Sequence, residues 1–412
     1  MLQPEVRALS YAVLVRRHGA ILAFGVLHAA SSGFGQTFFV SLFQPALMGA
    51  HGLDRSSFGG LYGLATLASS LLLPWAGRGI DVWPERRYSA AVLLGLASAC
   101  LAVAGAFNPL TLFLALLLLR LCGQGLSGHV ASTTVARHFE RSRGSALSLS
   151  ALGFPASEMC LPLLATLAIG AFGYRATFVA CAVIVCLLVL PLSQWLYALR
   201  GPCEQAAPAV GGPRRTRGDW TRAEVLRAKG TWALLPLLNA HPLLLTGLFL
   251  HQLSLSEAKG WSPTVMATSF VAFGISRATA SFLVGPLIDR YGPHRILATC
   301  LVPLMGGLCG LGLSSAPWVA AVYLTGAGLS TGASGAARTA FMAQTFGLLH
   351  LGAIRSMFSM LGVLSSAIAP PLFGLWLDAG GSVVGLIAAC LGYTLLAFVL
   401  GLLGLRSLLR SA

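Results

Sequence analysis

Gly285-Pro-Leu-Ile-Asp-Arg-Tyr-Gly-Pro-His-Arg295 lies between two long apolar runs, and 208 residues earlier stands a second copy, Gly77-Arg-Gly-Ile-Asp-Val-Trp-Pro-Glu-Arg-Arg87. The same offset carries Gly77 to Gly285, Asp81 to Asp289 and Arg87 to Arg295. It also carries Gln44 to Gln252, Gly52 to Gly260, Gly144 to Gly352 and Pro162 to Pro370. Landmarks held at one spacing along so much of the chain mark an internal duplication. Parallel repeats of this kind are one way membrane transport proteins are built, with the substrate site near the bilayer midplane between the halves.

Working outward from the repeated loop, the flanking sequence is that of a membrane protein. Of 412 residues 56% are hydrophobic and 9% charged, against roughly a quarter charged in soluble domains. Apolar runs of about 20 residues, long enough for a bilayer core of roughly 30 Å, recur from end to end. Inside lipid the backbone must satisfy its own hydrogen bonds, which leaves helices or closed barrels. These runs are rich in Leu and Ala and lack two-residue alternation, so they are read as helices. The expected spans are 19–47, 57–80, 88–107, 110–136, 145–171, 175–199, 231–256, 263–288, 294–313, 317–340, 352–377 and 383–407. The expected fold is all-α and integral to the membrane: twelve helices in two six-helix bundles, 1–200 and 230–412, joined by a linker at 201–229. Within the linker, the amphipathic piece from Trp220 to Lys229 reads as a segment lying along the membrane surface.

The net charge of +15 is explained by where the basic residues fall. With both termini inside, the cytoplasmic segments would hold Arg7, Arg16 and Arg17; Arg78, Arg86 and Arg87; and Arg137, Arg141 and Arg143. They would also hold Arg200, Arg214, Arg215, Arg217, Arg222, Arg227 and Lys229 in the linker, then Arg290, Arg295, Arg338, Arg355, Arg406 and Arg410. Arg55, Arg175 and Lys259 fall on the other side, and Arg120 and Arg277 within spans. That bias sets the orientation and points to a bacterial-type inner membrane. A nucleic-acid partner is not expected, since no basic patch with interleaved aromatics or known module is present.

The nine cysteines are scattered without Cys-x-x-Cys or metal spacing, and read as small packing residues. No metal or cofactor is expected. There is no Gly-x-x-x-x-Gly-Lys-[Ser/Thr] loop for nucleotide phosphates, and Gly123-Gln-Gly125 follows no strand. The N-terminus lacks the short apolar core and small-residue cleavage site of a removed signal peptide.

The repeated loop resembles the signature of the major facilitator superfamily: Gly, three residues, Asp-Arg, one residue, Gly and a basic end. The second copy fits closely; the first departs at Val82 and Pro84. The resemblance covers nearly the whole chain. It implies that Asp81, Arg87, Asp289, Arg290 and Arg295 belong to gates that switch conformation, where an Asp caps a helix and pairs with an Arg. Arg137-His-Phe-Glu-Arg-Ser-Arg-Gly-Ser-Ala-Leu147, Phe346-Gly-Leu-Leu-His-Leu-Gly352 and Gly374-Leu-Trp-Leu-Asp378 are similar to segments of monocarboxylate- and oxalate-type porters. Arg120 with Gly123 and Gly125 resembles a fourth-helix motif of the family, although Gln124 falls one place late. In such proteins passes one, four, seven and ten line the cavity.

Ionisable groups at membrane depth are costly and usually functional. Arg120 and Arg277, one per half, fall near the midplane, and Glu158 is the carboxylate deep in a span. Arg suits an anionic substrate because its planar, permanent charge binds carboxylates bidentately. The substrate-binding candidates are therefore Arg120 and Arg277, with Gln36, Asn239, His241 and Gln252 toward the cavity or its mouth, where His251 also lies. Against this stands a structural role in which Arg120 neutralises Glu158 and helix carbonyls. Glu158 could carry a coupling proton, with His28 and His129 on its path; packed, hydrogen-bonded histidines are the plainer alternative. Proline at 155, 162, 370 and 371 should bend passes five and eleven. The reading is a monomeric secondary transporter of a small organic anion, proton-coupled, working by alternating access in the lipid bilayer. Proton-driven efflux of hydrophobic or cationic compounds is one alternative, and a membrane sensor or scaffold another. An enzyme is not expected, since no nucleophile and base are clustered.

Overall fold

The computed structural model describes residues 11–139, 142–203, 220–347 and 349–411. Arg7, Arg141, Arg214, Arg215 and Arg217 lie outside the described residues, as does the 204–219 part of the linker. Every regular element among the described residues is helical. Ten helices are long and apolar enough to cross a membrane. One of these, Arg143–Ala198, runs for 56 residues and turns at Gly173, where φ is +75°. It is two passes, 143–172 and 174–198. Trp318–Phe346 is a further helix of 29 residues, made less apolar by Thr325, Gly326, Gly328, Ser330, Thr331 and Gly332. Counting the kinked helix as two and adding Trp318–Phe346 brings the ten to the twelve expected passes.

Local chemistry sets the ends. Asn108 accepts from the Thr111 amide while Thr111 returns the bond, a capping box that starts the fourth pass with Pro109 in its first turn. Gly52 ends Gln44–His51 at φ +62°, and Gly260 follows Gln252–Ala258 at φ +69°. These positions are equivalent under the 208-residue offset, so the duplication extends to left-handed helix stops that glycine accepts without a Cβ clash.

Three boundaries differ from expectation. The first pass starts at Tyr11 and is interrupted at Ser32–Gly35 rather than running unbroken from 19 to 47. The tenth pass ends at Phe346, not 340. Trp220 does not lead a free surface helix. Its amide donates to the Phe346 carbonyl at 2.9 Å, and Arg222 reaches the Ala353 carbonyl at 3.0 Å and Ser356 Oγ at 3.2 Å. A Thr221–Glu224 capping box then fixes the short helix Arg222–Arg227.

The chain divides into two compact units, with boundaries in passes one, two and five as well as within the linker between Val210 and Gly211. The first comprises Met1–Gln36, Ala68–Ser157 and Phe172–Val210. Phe24, Phe139 and Phe178 are fully enclosed in it. The second comprises Thr37–Leu67, Glu158–Ala171 and Gly211–Ala412, with Phe58, Tyr62, Phe270 and Phe341 enclosed. Passes seven and twelve pack closely in the second unit, where Gly404 lies against the Gly230 carbonyl and Gly401 against Leu237.

Candidate functional site

In the second unit Glu158, midway between Arg143 and Gly173, meets Arg277, midway along Pro263–Tyr291. Arg277 Nη1 donates to Glu158 Oε1 in a direct ion pair. Glu158 is 5% exposed, and its Oε2 has no hydrogen-bond partner among the described residues. The Arg277 side chain is 27% exposed. The tenth pass supports it from behind, since Gly328 lies against the Ser276 hydroxyl and the backbone of Phe273 and Arg277, and Gly332 against the Arg277 carbonyl. Sequence left Arg120 as the partner of Glu158, but the ion pair is made with Arg277 instead. Either charge alone at this depth would cost several kcal/mol, so each requires the other or a substitute.

Arg120 does different work in the first unit. The first pass tightens into a 3-10 turn at Ser32–Gly35 and breaks at Gln36, whose backbone is extended (φ −81°, ψ 154°). Arg120 Nη1 donates to the Gly35 carbonyl at 3.0 Å, placing a cation at the C-terminal end of this half-helix. The approach is close because both sides are glycine. A Cβ at Gly35 would stand 2.5 Å from the Leu119 carbonyl and the Gln124 amide, and Gly123 faces Gly35 in turn. Arg120–Ser127 is a π-helix. A π-turn accommodates one extra residue in an α-helix, which accounts for Gln124 falling one place late against the family motif. Of the roles open to Arg120, the carbonyl-capping one is seen, and Gln36 marks the break.

The remaining polar candidates are dispersed. His28 is buried, with Nε2 2.9 Å from Ser193 Oγ and its ring 4.5 Å from that of Phe24, the packed arrangement of a structural histidine. His129 lies against Gly77 and 3.4 Å from Thr133 Oγ1, at the start of the Asp81 loop. His241 Nε2 is 2.7 Å from Ser330 Oγ, joining passes seven and ten, and Asn239 faces Gly362 on pass eleven. Gln252 spends its amide nitrogen on Ser41 Oγ at 2.7 Å and the Phe38 carbonyl at 3.1 Å.

Those Gln252 bonds belong to a seal at the end of the second unit opposite Asp289. His251 Nε2 donates to the Pro370 carbonyl at 2.9 Å, and its Nδ1 accepts from Gln44 at 3.5 Å. Gln44 and Gln252, equivalent in the repeat, thus both serve the seal. Arg55 pairs with Asp378 at 3.7 Å, and Asp378 also accepts from the Ser56 amide at 2.7 Å. Hydrogen bonds from the Ser57 and Ser56 side chains and the Ser57 amide hold the neighbouring Asp54 carboxyl below its usual value.

In the first unit Asp81 pairs with Arg137, which also holds Glu85 at 3.2 Å and the Ile80 carbonyl at 2.9 Å. Arg137 of the fourth pass therefore supplies the cation that Val82 does not. Arg87 is exposed and makes no ion pair among the described residues. In the second copy Asp289, Arg290 and Arg295 are exposed, Arg290 lies 5.3 Å from the Tyr291 ring, and Asp289 has no ion pair among the described residues. Because the Asp81 pair is exposed, Asp81→Asn should cost less than about 1 kcal/mol of stability. A several-fold fall in transport with an unchanged melting temperature is expected; unaltered transport would remove Asp81 from the gate.

Sequence reasoning missed Arg338. It counted this residue among the cytoplasmic cations at the end of a span closing at 340, whereas the helix continues through Phe346 and leaves Arg338 about two turns inside it. The apolar residues Phe341, Met342 and Phe346, all buried, are the signal that the span runs on.

Twelve apolar passes built on a duplicated six-pass pattern, with an ion pair at mid-helix and a broken first pass, define a membrane transporter. The chain belongs to the Major Facilitator Superfamily, whose family model matches residues 26–252 and 243–410. It is 25% identical over 326 residues to a gallate transporter of Pseudomonas putida, covering 73% of this chain and 72% of that one. It is 29% identical over 249 residues to a "Probable transporter" of Streptomyces coelicolor, covering 54% of this chain and 52% of the relative, so the match spans about half of that protein's length. A bacterial homolog of the human lysosomal transporter Spinster, inward-facing and unoccupied, shares the fold with a TM-score of 0.73 at 15% identity, over 95% of this chain and 98% of that one. The nucleoside transporter NupG gives 0.68 at 13% identity, over 94% and 98%.

Proposed function

We propose that the protein is a proton-coupled secondary transporter of small organic carboxylates, with Arg277 as the anion ligand and Glu158 as the proton carrier. The observation that carries this reading is the Glu158–Arg277 ion pair at mid-helix, with a guanidinium partly exposed and a carboxylate oxygen left unbonded. In the empty site the two charges cancel. When Glu158 takes a proton the Arg277 guanidinium loses its counter-ion, and a substrate carboxylate can replace it bidentately. Charge at the site is balanced both in the empty, paired form and in the form loaded with proton and anion. Half-loaded forms leave one charge uncompensated and are disfavoured at this depth. Proton and anion therefore move together in one direction. Arg120 holds the broken first pass beside the path, and His241 and Asn239 supply polar lining.

The gallate transporter of Pseudomonas putida, with an acidic aromatic substrate in its name, supports the substrate class. The basic bias places the protein in a bacterial inner membrane with Asp81 and Asp289 on the cytoplasmic side and the Gln252 seal outside. Uptake into proteoliposomes from a panel of gallate, benzoate, lactate and neutral analogues, with and without a proton gradient, tests the reading. Accumulation of one or more carboxylates with the external side acidic is expected. Glu158→Gln should abolish gradient-driven accumulation while sparing carboxylate exchange. Equal accumulation by variant and parent would place the proton elsewhere, and transport confined to neutral analogues would overturn the anion reading.

A further inference from the structure

The second unit holds another cation within its helices. Arg338 stands about 12 Å from the end of Trp318–Phe346, at 1.5 Å per residue. It is half-buried, and its guanidinium makes no hydrogen bond or ion pair among the described residues. The described acids of this unit are committed elsewhere or exposed at helix ends. Glu158 pairs with Arg277, Asp378 with Arg55, and Glu224 and Asp54 cap helices; Glu257 and Asp289 are exposed. The neighbours that Arg338 does feel electrostatically are Arg355, His241 and the Cys300 thiol, none of which offers an anion at neutral pH. Ser330, Ser334 and Arg338 follow one another at i, i+4 spacing and so form a polar stripe on one helix face. His241 is bonded to the top of that stripe at Ser330.

An arginine inside a membrane helix is costly, and with no counter-charge among the described residues Arg338 is suited to a mobile anion. Arg277 lies about 9 Å further from its own helix end than Arg338 does from its end, at 1.5 Å per residue, so one carboxylate group cannot sit on both. We propose that Arg338 is a second carboxylate station between Arg277 and the Asp289 end; Ser330 and Ser334, whose hydroxyls donate to the Cys300 and Thr331 carbonyls, are polar neighbours on its face rather than ligands. This rests on the reading of Arg277 as the anion ligand and extends it. When Glu158 loses its proton and takes Arg277 back, the displaced carboxylate meets Arg338 next. Release is thereby drawn toward one side, with the exposed Arg355 beyond it.

Equilibrium binding of gallate and of benzoate to the purified full-length chain at acidic pH tests this. Two anions per chain are expected for the unmodified protein, one for Arg338→Gln and one for Arg277→Gln. Arg338→Lys, which keeps the charge and loses the bidentate geometry, should retain the second site with roughly tenfold weaker affinity. The stoichiometry of the unmodified protein needs no variant to fold. A single anion per chain, or two in Arg338→Gln, overturns the inner station and leaves Arg277 standing. No binding of either carboxylate overturns both.

Discussion

Arg277→Ala is expected to bring proton-driven carboxylate uptake down to the level of empty liposomes while the protein still folds and inserts. Truncating one partner of a buried, hydrogen-bonded charge pair costs about 2–5 kcal/mol, or roughly 30- to 3,000-fold in affinity at about 1.4 kcal/mol per tenfold. The variant also leaves Glu158 without its counter-charge, since Arg277 is the ion partner it has. Glu158 can escape that cost by holding its proton, so the loss should appear in transport far more than in folding. Arg277→Lys keeps a cation but not the planar fork, and should recover only part of the uptake. The measurement is initial uptake rate against substrate concentration, with melting temperature as the control. Unchanged kinetics in Arg277→Ala would end the anion-ligand assignment.

Gly63→Leu should open the seal. In the second unit a Cβ at Gly63 would lie 2.2 Å from the Ala367 carbonyl oxygen, and one at Gly59 would lie 2.6 Å from that of Pro370. The obstacle is helix backbone on pass eleven, which cannot rotate aside as a side chain would, so the passes must separate. Overpacking costs about 1–3 kcal/mol and sometimes more, enough to shift a conformational equilibrium by roughly fivefold to over a hundredfold. Ser41 is fully buried beneath Gln252 in this seal. A cysteine introduced there should react with an external maleimide at least about tenfold faster in the Gly63→Leu background, with transport reduced in parallel. Equal labelling rates would mean that passes two and eleven do not govern access.

Much of the architecture was legible without coordinates because its causes are local or compositional. Helix is forced by the bilayer, orientation is implied by the basic residues, and the repeat appears in the 208-residue offset. The Gly52 and Gly260 stops show that this offset carries backbone conformation as well as residue identity. The site was legible only as a list of costly residues. Arg120, Glu158 and Arg277 stand out because charge is rare in such helices, yet depth alone did not reveal who pairs with whom. Arg120 and Glu158 have compatible depths in the sequence, yet Arg120 bonds the Gly35 carbonyl and Glu158 pairs with Arg277. Gln252 looked like a substrate contact, but both hydrogens of its amide nitrogen are taken up in the seal. Arg338 was read as a cation at the cytoplasmic end of its span because the span closed at 340, whereas the helix runs six residues further, to Phe346.

By itself, then, the sequence determined that this chain spans the membrane in two related sets of six helices, which residues bear charge where charge is expensive, and which loop is duplicated. Tertiary structure decided that Glu158 belongs to Arg277, that Arg120 holds a broken helix end, and that Asp81 of the first loop pairs with Arg137. The physical reason is that membrane cost and helix periodicity act on each segment separately. Pairing depends on how helices far apart in sequence are rotated against one another, and that rotation is set by close contacts such as Gly35 with Gly123 and Gly63 with Ala367.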